Sequence, residues 1–188
     1  MPSIEVQLAS PSDAKELLAI YEPYVVSTAI TFEYDVPSLT DFESRITKIQ
    51  NRYPYLKALF DGQIVGYAYA STFKDRAAYD WSVEISIYIK ADCHHLGIGK
   101  CLYSKLEEYL KLQNIRNVCA CIAYPNPSSV AFHEYFGFTK TAHFHKSGYK
   151  FNTWHDMIWM EKFIHPHNEI PEAFIPFPMY QKEFLQER

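Results

Sequence analysis

The sequence has no apolar run as long as the roughly 18–20 residues that a membrane-spanning helix needs. Lys and Arg are spread along the chain without forming a basic run, and the formal net charge is −4, which argues against nucleic-acid binding. The first six residues also lack the basic and apolar regions of a signal peptide. We therefore expect a cytoplasmic protein with neither a nucleic-acid nor a membrane partner.

The cysteines lack the Cys-x-x-Cys spacing that is typical of zinc sites. We expect buried free thiols at Cys93, Cys101, Cys119 and Cys121. A zinc ion held by residues 93–95 is disfavoured, because three adjacent residues rarely converge on one ion. His143 and His145 fit one face of a strand better than a metal site, so no bound metal is expected.

The order of apolar patterns predicts one mixed domain in which helices cover a sheet. The predicted strands are 4–8, 55–60, 63–70, 81–89, 118–123, 139–145 and 154–162, and the predicted helices begin near residue 10 and cover 39–50, 97–112 and 128–136. The Asp61-Gly62 pair between two strands is a strong signal for a hairpin. The domain is expected to cover residues 1–162. Residues 163–188, with four of the eleven prolines, are expected to form a C-terminal tail.

The junction between residues 83–89 and His94-His-Leu-Gly-Ile-Gly99 indicates an anion site. A strand there runs through a short loop into a helix start, where backbone N–H groups lack partners and the helix dipole favours negative charge. No Gly-Lys-Ser/Thr follows, which disfavours a nucleotide-hydrolase P-loop. The glycines follow an antiparallel section instead of opening a βαβ unit, which disfavours a dinucleotide-binding fold.

The segment from His94 to Gly99 resembles the acyl-CoA-binding motif of the GNAT N-acetyltransferase superfamily, Gln/Arg-x-x-Gly-x-Gly/Ala, with His94 in place of Gln or Arg. Residues 31–33, 73–89 and 129–154 resemble segments of its phosphinothricin acetyltransferase-like branch. The resemblance implies an α/β (α+β mixed) fold with a largely antiparallel sheet of six to seven strands and about four flanking helices. It also implies acetyl-CoA as co-substrate and a homodimer.

The resemblance further implies which residues bind acetyl-CoA. These are Ile87, Tyr88, Ile89, His94, His95, Leu96, Gly97, Ile98, Gly99, Lys100, Asn126 and Ser129. In this family the strands at 81–89 and 118–123 separate to admit the pantetheine arm, and the N–H near Ile87 polarises the thioester carbonyl. Asn126 also fits a plain turn residue before a helix, since Asn-Pro is a turn former.

Glu84 interrupts an apolar strand and is the candidate general base. Burial among Val83, Ile85 and Tyr88 is expected to raise the pKa of its carboxyl, although an outward-facing, solvated carboxylate is the alternative. His133 lies where many family members carry a Tyr that reprotonates the leaving thiolate. It fits either that acid or a packed helix histidine, and Tyr135 is the second candidate.

Charged and aromatic residues on three segments are candidates for binding the acceptor. They are Phe32, Glu33, Lys74, Arg76, Tyr149 and Lys150. Arg is suited to bidentate capture of a carboxylate or phosphinate, although exposed basic loop residues are often only solvated. Ile85 stands where close relatives of the branch's namesake carry His, so the acceptor pocket or its proton relay is expected to differ there.

The sequence therefore predicts an enzyme that moves an acetyl group from acetyl-CoA to the primary amine of a small amino-acid-like acceptor. Phosphinothricin and methionine sulfoximine are the acceptor types that the resemblance implies. Direct attack is expected, since no cysteine stands at a convincing nucleophile position. The alternatives are another amine, such as a polyamine, an aminoglycoside or a protein N-terminus, and a non-catalytic acyl-CoA-binding sensor.

Overall fold

The computed structural model describes residues 3–184, with seven strands and five α-helices in that range. The strands are β1 (Ile4–Leu8), β2 (Tyr55–Phe60), β3 (Gln63–Thr72), β4 (Ser82–Ile89), β5 (Asn117–Tyr124), β6 (Thr139–Lys150) and β7 (Thr153–Phe163). The helices are α1 (Ala14–Ser27), α2 (Leu39–Gln50), α3 (Ile98–Leu112), α4 (Pro127–Tyr135) and α5 (Phe177–Phe184). Among the described residues, no helix is both long enough and apolar enough to cross a membrane.

The strands form one sheet in the order β1-β2-β3-β4-β5-β7-β6. All neighbours are antiparallel except β4 and β5, which are parallel. The predicted fold class is therefore confirmed. Asp61 and Gly62 form the β2–β3 turn with φ of 50° and 78°, as a tight hairpin turn requires.

Strand β6 is longer than the sequence predicted and continues to Lys150. The segment Lys146-Ser-Gly looks like the end of a strand, but it forms a bulge that shifts the register between Phe144 and Gly148. The chain turns only at Phe151 and Asn152, whose φ values are 51° and 57°.

Helices cover both faces of the sheet, and each face has its own apolar core. Helices α1 and α2 pack on the face that carries Tyr55 and Tyr67, while α3 packs on the face that carries Val83 and Ile85. Because side chains alternate along a strand, Glu84 lies on the α1/α2 face, opposite its two apolar neighbours. Glu84 is half-buried as expected, but of the three expected neighbours only Tyr88 shares its face, since Val83 and Ile85 point to the other side.

The described part of the segment after residue 163 packs against the domain. Phe177 is 2% exposed, and its ring lies 5.4 Å from that of Tyr109 on α3. The Gln113 side chain donates hydrogen bonds to the carbonyl oxygens of Arg52 and Ile175, at 2.6 and 2.9 Å. This segment therefore contributes to the core around α3, whereas the sequence suggested only a tail.

Lys150 fastens the connector between α1 and α2 to the end of β6. Its side chain is buried, and Nζ donates to the carbonyl oxygens of Val25 and Thr31 at 2.7 and 2.8 Å. Val25 lies in the last turn of α1, where helix carbonyls lack partners and a positive charge is favourable.

We expect Lys150→Met to lower the free energy of unfolding by about 2 kcal/mol, because two buried carbonyls lose a charged donor. Lys140→Met, at an exposed position of the same strand, should leave stability within about 0.5 kcal/mol of the wild type. Urea unfolding of both variants measures the difference. Equal stability of the two variants would show that Lys150 does not hold the connector.

Candidate functional site

Strands β4 and β5 separate after three residue pairs. They pair in parallel at Ser82–Asn117, Val83–Val118 and Glu84–Cys119, and then both strands continue without pairing to each other. The gap opens directly after Glu84. The separation that the family resemblance implied is therefore present in this chain.

Alternate backbone N–H and C=O groups of β4 point into this gap. In an antiparallel pair, residues that bond to the partner strand alternate with residues whose N–H and C=O groups point away from it. The hydrogen bond from Lys90 N to Val65 O, and the regular β3–β4 register, place Tyr88 among those that bond to β3. The N–H groups of Ile87 and Ile89 therefore point toward β5, and that of Ile87 has no partner strand there.

The gap leads into a cleft of about 1170 Å³. Its walls are residues 85–89 of β4, residues 120–123 of β5, the loop before α3 and one side of α4. All the predicted acetyl-CoA-binding residues except Leu96 line it, as do both candidate acids. They are Ile87, Tyr88, Ile89, His94, His95, Gly97, Ile98, Gly99, Lys100, Asn126, Ser129, His133 and Tyr135.

The start of α3 offers unpartnered backbone amides to this cleft. Gly97 is the N-cap residue with φ of 84°, and it supplies no capping side chain. The N–H groups of the first helical turn therefore stay available to an anion. Gly99 has a different role, because a Cβ there would lie 3.1 Å from Ile89 Cδ1 and 3.2 Å from Phe132 Cε2. Its absent side chain lets α3 approach β4 and α4.

His94 turns toward β4. Its Nε2 lies 3.2 Å from both the carbonyl oxygen of Ile89 and the hydroxyl of Tyr24. The Tyr24 hydroxyl donates to the same carbonyl at 2.5 Å. Tyr24 and His94 therefore satisfy backbone that the separation of β4 and β5 leaves unpaired, and His94 helps to position the loop.

Glu84 stands at the inner end of the gap, on the α1/α2 face. It does not line the cleft itself, since the cleft begins with Ile85. Its carboxylate makes no hydrogen bond or ion pair with any residue in the range 3–184. Burial raises the pKa of the Glu84 carboxyl above its ordinary value, and the charge of Lys74 partly opposes this. An ionisable group with a raised pKa and no partner is suited to accept a proton.

The two cysteines on β5 are poor nucleophiles. Burial, together with nearby carboxylates that include Glu84, raises the pKa of the Cys119 thiol to about 11 and that of the Cys121 thiol to about 12. The thiolate is the reactive form, so both groups stay protonated and unreactive at neutral pH.

Asn126 and His133 both make hydrogen bonds within α4. The Asn126 side chain accepts from Ser129 N at 3.1 Å and caps the helix, as the turn interpretation predicts. His133 Nδ1 lies 2.8 Å from the carbonyl oxygen of Ser129, which only accepts, so Nδ1 carries a proton. Burial lowers the pKa of His133. A neutral imidazole with this tautomer has only an acceptor at Nε2, which fits a packed helix histidine better than a general acid.

Tyr135 lies at the mouth of the cleft and is 67% exposed. Its hydroxyl accepts a hydrogen bond from Lys100 Nζ at 2.8 Å and keeps its own proton for donation.

Of the six residues predicted to bind the acceptor, Phe32, Glu33, Tyr149 and Lys150 lie where the α1–α2 connector meets the end of β6. Lys74 and Arg76 lie in the loop before β4, and none of the six lines the cleft. Lys150 is committed to two carbonyls, and Glu33 pairs with Arg45 at 2.6 Å. The Phe32 ring occupies the space above Gly148, and Tyr149 packs on Trp154. Lys74 alone acts on the candidate base, while the exposed Arg76 makes no ion pair within residues 3–184.

Several residues on the α1/α2 face of the sheet and along the cleft were missed by sequence reasoning. Tyr69 of β3 lies opposite Ser86 of β4 and shares the face of Glu84. On the same face, the hydroxyl groups of Tyr21 and Thr31 are hydrogen-bonded at 2.7 Å. Ile30 and Cys121 line the cleft. The tyrosines fit the apolar periodicity of ordinary core positions, so the sequence carried no signal that separates them from the core.

A model of the acetyltransferase (GNAT) domain matches residues 6–159 of this chain. The phosphinothricin N-acetyltransferase of Streptomyces viridochromogenes is 32% identical over 164 residues, covering 87% of this chain and 90% of that protein. The L-methionine sulfoximine/L-methionine sulfone acetyltransferase of Pseudomonas aeruginosa is 26% identical over 171 residues, covering 90% and 99%.

The crystal structure of a GNAT superfamily phosphinothricin acetyltransferase from Sinorhizobium meliloti, in complex with acetyl-CoA, superposes with a TM-score of 0.87. It is 31% identical, and the match covers 94% of this chain and 96% of that one.

Of the two glycines at the start of α3, only Gly97 has a positive φ, so only there does the backbone conformation favour glycine. Gly97→Ala should lower the free energy of unfolding by about 1 kcal/mol, because a Cβ disfavours φ of 84°. Gly97→Asn should lose less, since Asn tolerates this region better. Chemical denaturation compares the two, and equal losses would point to a cause other than backbone strain.

Proposed function

This chain belongs to the GNAT acetyltransferase family, and on that premise we propose that it acetylates the primary amine of a small amino-acid-like acceptor with Glu84 as general base. The predicted family is thereby confirmed. The observation that carries the proposal is the position of Glu84, at the last paired residue before β4 and β5 separate, with a raised pKa and no partner.

The cleft fits acetyl-CoA by its backbone chemistry. The uncapped start of α3 would bind the pyrophosphate through the N–H groups of residues 98–100, and the gap between β4 and β5 would hold the pantetheine arm. Acetyl-CoA supplies an acyl group already activated as a thioester. The N–H of Ile87 points into this gap and would donate to the thioester carbonyl oxygen as negative charge develops there.

Glu84 would prepare the acceptor for attack. An amine attacks only in its neutral form, and a primary ammonium holds its proton at neutral pH. A carboxylate of raised pKa removes that proton, directly or through water. The neutral nitrogen attacks the thioester carbonyl, and the C–N bond forms as the C–S bond breaks. The surplus proton on that nitrogen passes to water, and the leaving thiolate takes a proton from the Tyr135 hydroxyl or from water. The protonated Cys119 and Cys121 give no support to an acyl-cysteine intermediate.

The loop before β4 carries two cations, one of which acts on Glu84. Lys74 lies close enough to influence Glu84, and Arg76 follows in the same exposed loop. These cations favour an acceptor with a carboxylate or phosphinate next to its amine, and they disfavour a polyamine. Relatives named for phosphinothricin and for methionine sulfoximine or sulfone act on acceptors of this kind.

A thiol-release assay with acetyl-CoA should therefore show turnover with phosphinothricin, methionine sulfoximine or methionine sulfone. Spermidine, kanamycin and a peptide with a free N-terminus serve as comparison acceptors. Turnover with the cationic acceptors alone would contradict the acceptor class. Binding of acetyl-CoA without release in the presence of any acceptor would indicate a sensor instead of an enzyme.

The role of Glu84 predicts a pH dependence. The base works when ionised, so kcat/KM should fall as the pH drops through the raised pKa of Glu84. Glu84→Gln should lower kcat by about 10²–10⁴-fold at neutral pH while leaving acetyl-CoA binding intact. Lys74→Met removes the charge that lowers this pKa, so the acid limb of the profile should move to higher pH. Lys140→Met, on an exposed part of β6, is the matched control.

An undiminished rate in Glu84→Gln at neutral pH would remove Glu84 from the mechanism. An acid limb that stays in place in Lys74→Met would mean that a different group titrates.

A further inference from the structure

Three potential metal ligands meet on the β6–β7 hairpin, away from the start of α3. His143 Nε2 lies 2.7 Å and His145 Nδ1 lies 3.0 Å from the same oxygen, Oδ2 of Asp156. All three ligand atoms lie within 4.8 Å of one another. None of them belongs to the cleft or contacts the candidate base.

The bulge in β6 creates this convergence. Asp156 on β7 lies opposite the bulge, between the register pairs Phe144–Met157 and Gly148–His155. The extra residues fold over the carboxylate, and Lys146 N donates to Asp156 Oδ1 at 2.8 Å. One carboxylate oxygen is thus fixed by the backbone, and the other faces the two imidazoles. Such hydrogen bonds to a ligand's far atom are what orient the ligands in metal sites.

The distances are close to those that a tetrahedral ion imposes. With metal–ligand bonds of about 2.0–2.2 Å, neighbouring ligand atoms stand roughly 3.3 Å apart. The two imidazole nitrogens are already 2.7 and 3.0 Å from the carboxylate oxygen, so small side-chain movements admit an ion between them. His143 and Asp156 are each 26% exposed and His145 is 76% exposed, so an ion can enter from solvent.

We propose that His143, His145 and Asp156 form a binding site for a divalent transition-metal ion of the Zn²⁺ type. Two imidazoles and one carboxylate suit such ions better than Mg²⁺ or Ca²⁺, which prefer oxygen ligands. Three protein ligands leave the fourth position to water or to an external ligand.

The site adjoins a second cavity, of about 390 Å³. The Tyr124 ring packs edge-on against His143 with centroids 4.9 Å apart, and Tyr124 and His155 both line that cavity. Tyr124 also pairs with Asp156 across β5 and β7. The proposed ion site therefore lies beside a cavity whose wall also contains Asn126 of the cleft.

The test is a Zn²⁺ titration of the metal-free full chain by calorimetry. The wild type should bind one ion at this site, and His145→Ala should weaken binding at least tenfold. His167→Ala is the matched control, because His167 is another exposed histidine that bonds one side chain, Asn117 at 2.7 Å, and it should bind like the wild type. Circular dichroism checks that the variants remain folded, and Asp156→Asn provides a second, charge-removing variant.

Two further measurements separate this site from binding by the cysteines. Co²⁺ should give the intense visible bands of a tetrahedral site without a thiolate charge-transfer band. Zn²⁺ should raise the melting temperature of the wild type but not of His145→Ala. Absence of binding to the wild type, or equal binding by His145→Ala, would overturn the proposal and leave a carboxylate that two histidines share by hydrogen bonding.

Discussion

The early separation of β4 and β5 is the constraint on which the site depends. A sheet normally uses every backbone N–H and C=O of its inner strands. Here the pairing of β4 with β5 stops after Glu84, so the backbone groups of β4 that point toward β5 beyond this residue need other partners. Tyr24 and His94 satisfy Ile89 at the far end, while the middle of the gap remains open as a cleft. The sheet gives up hydrogen bonds between two central strands and gains a cleft lined by backbone.

Because side chains alternate along β4, neighbouring residues of this strand lie on opposite faces of the sheet. Ile85 points into the core beneath α3, on the side where the cleft and its uncapped helix start lie. Glu84 points to the opposite side, where the tyrosines beneath α1 and α2 shield it from water without neutralising it. One residue step along a strand thus places the candidate base on the opposite face from the side that carries the cleft.

The β6–β7 hairpin shows how a local irregularity changes what residues do. The pattern His143-Phe-His145 predicts a strand face, since a histidine pair alone offers only two ligands. The carboxylate of Asp156 lies 11 residues beyond His145, and only the bulge brings it within hydrogen-bond distance of both imidazoles. Lys150 is a similar case, because it belongs to the hairpin but its ammonium group holds the connector after α1.

The sequence by itself determined the order of the elements from β1 to β7, the Asp61-Gly62 turn, the glycine-containing start of α3 and the identity of the candidate base. Each of these follows from short-range chemistry, such as apolar periodicity, two glycines at a helix start and one carboxylate in an apolar strand. Only the tertiary structure decided which groups surround Glu84, that Lys150 and Glu33 are committed to other partners, and that His133 is a neutral, packed side chain. These depend on contacts between residues far apart in the chain, such as Lys150 with Val25, for which local patterns carry no signal.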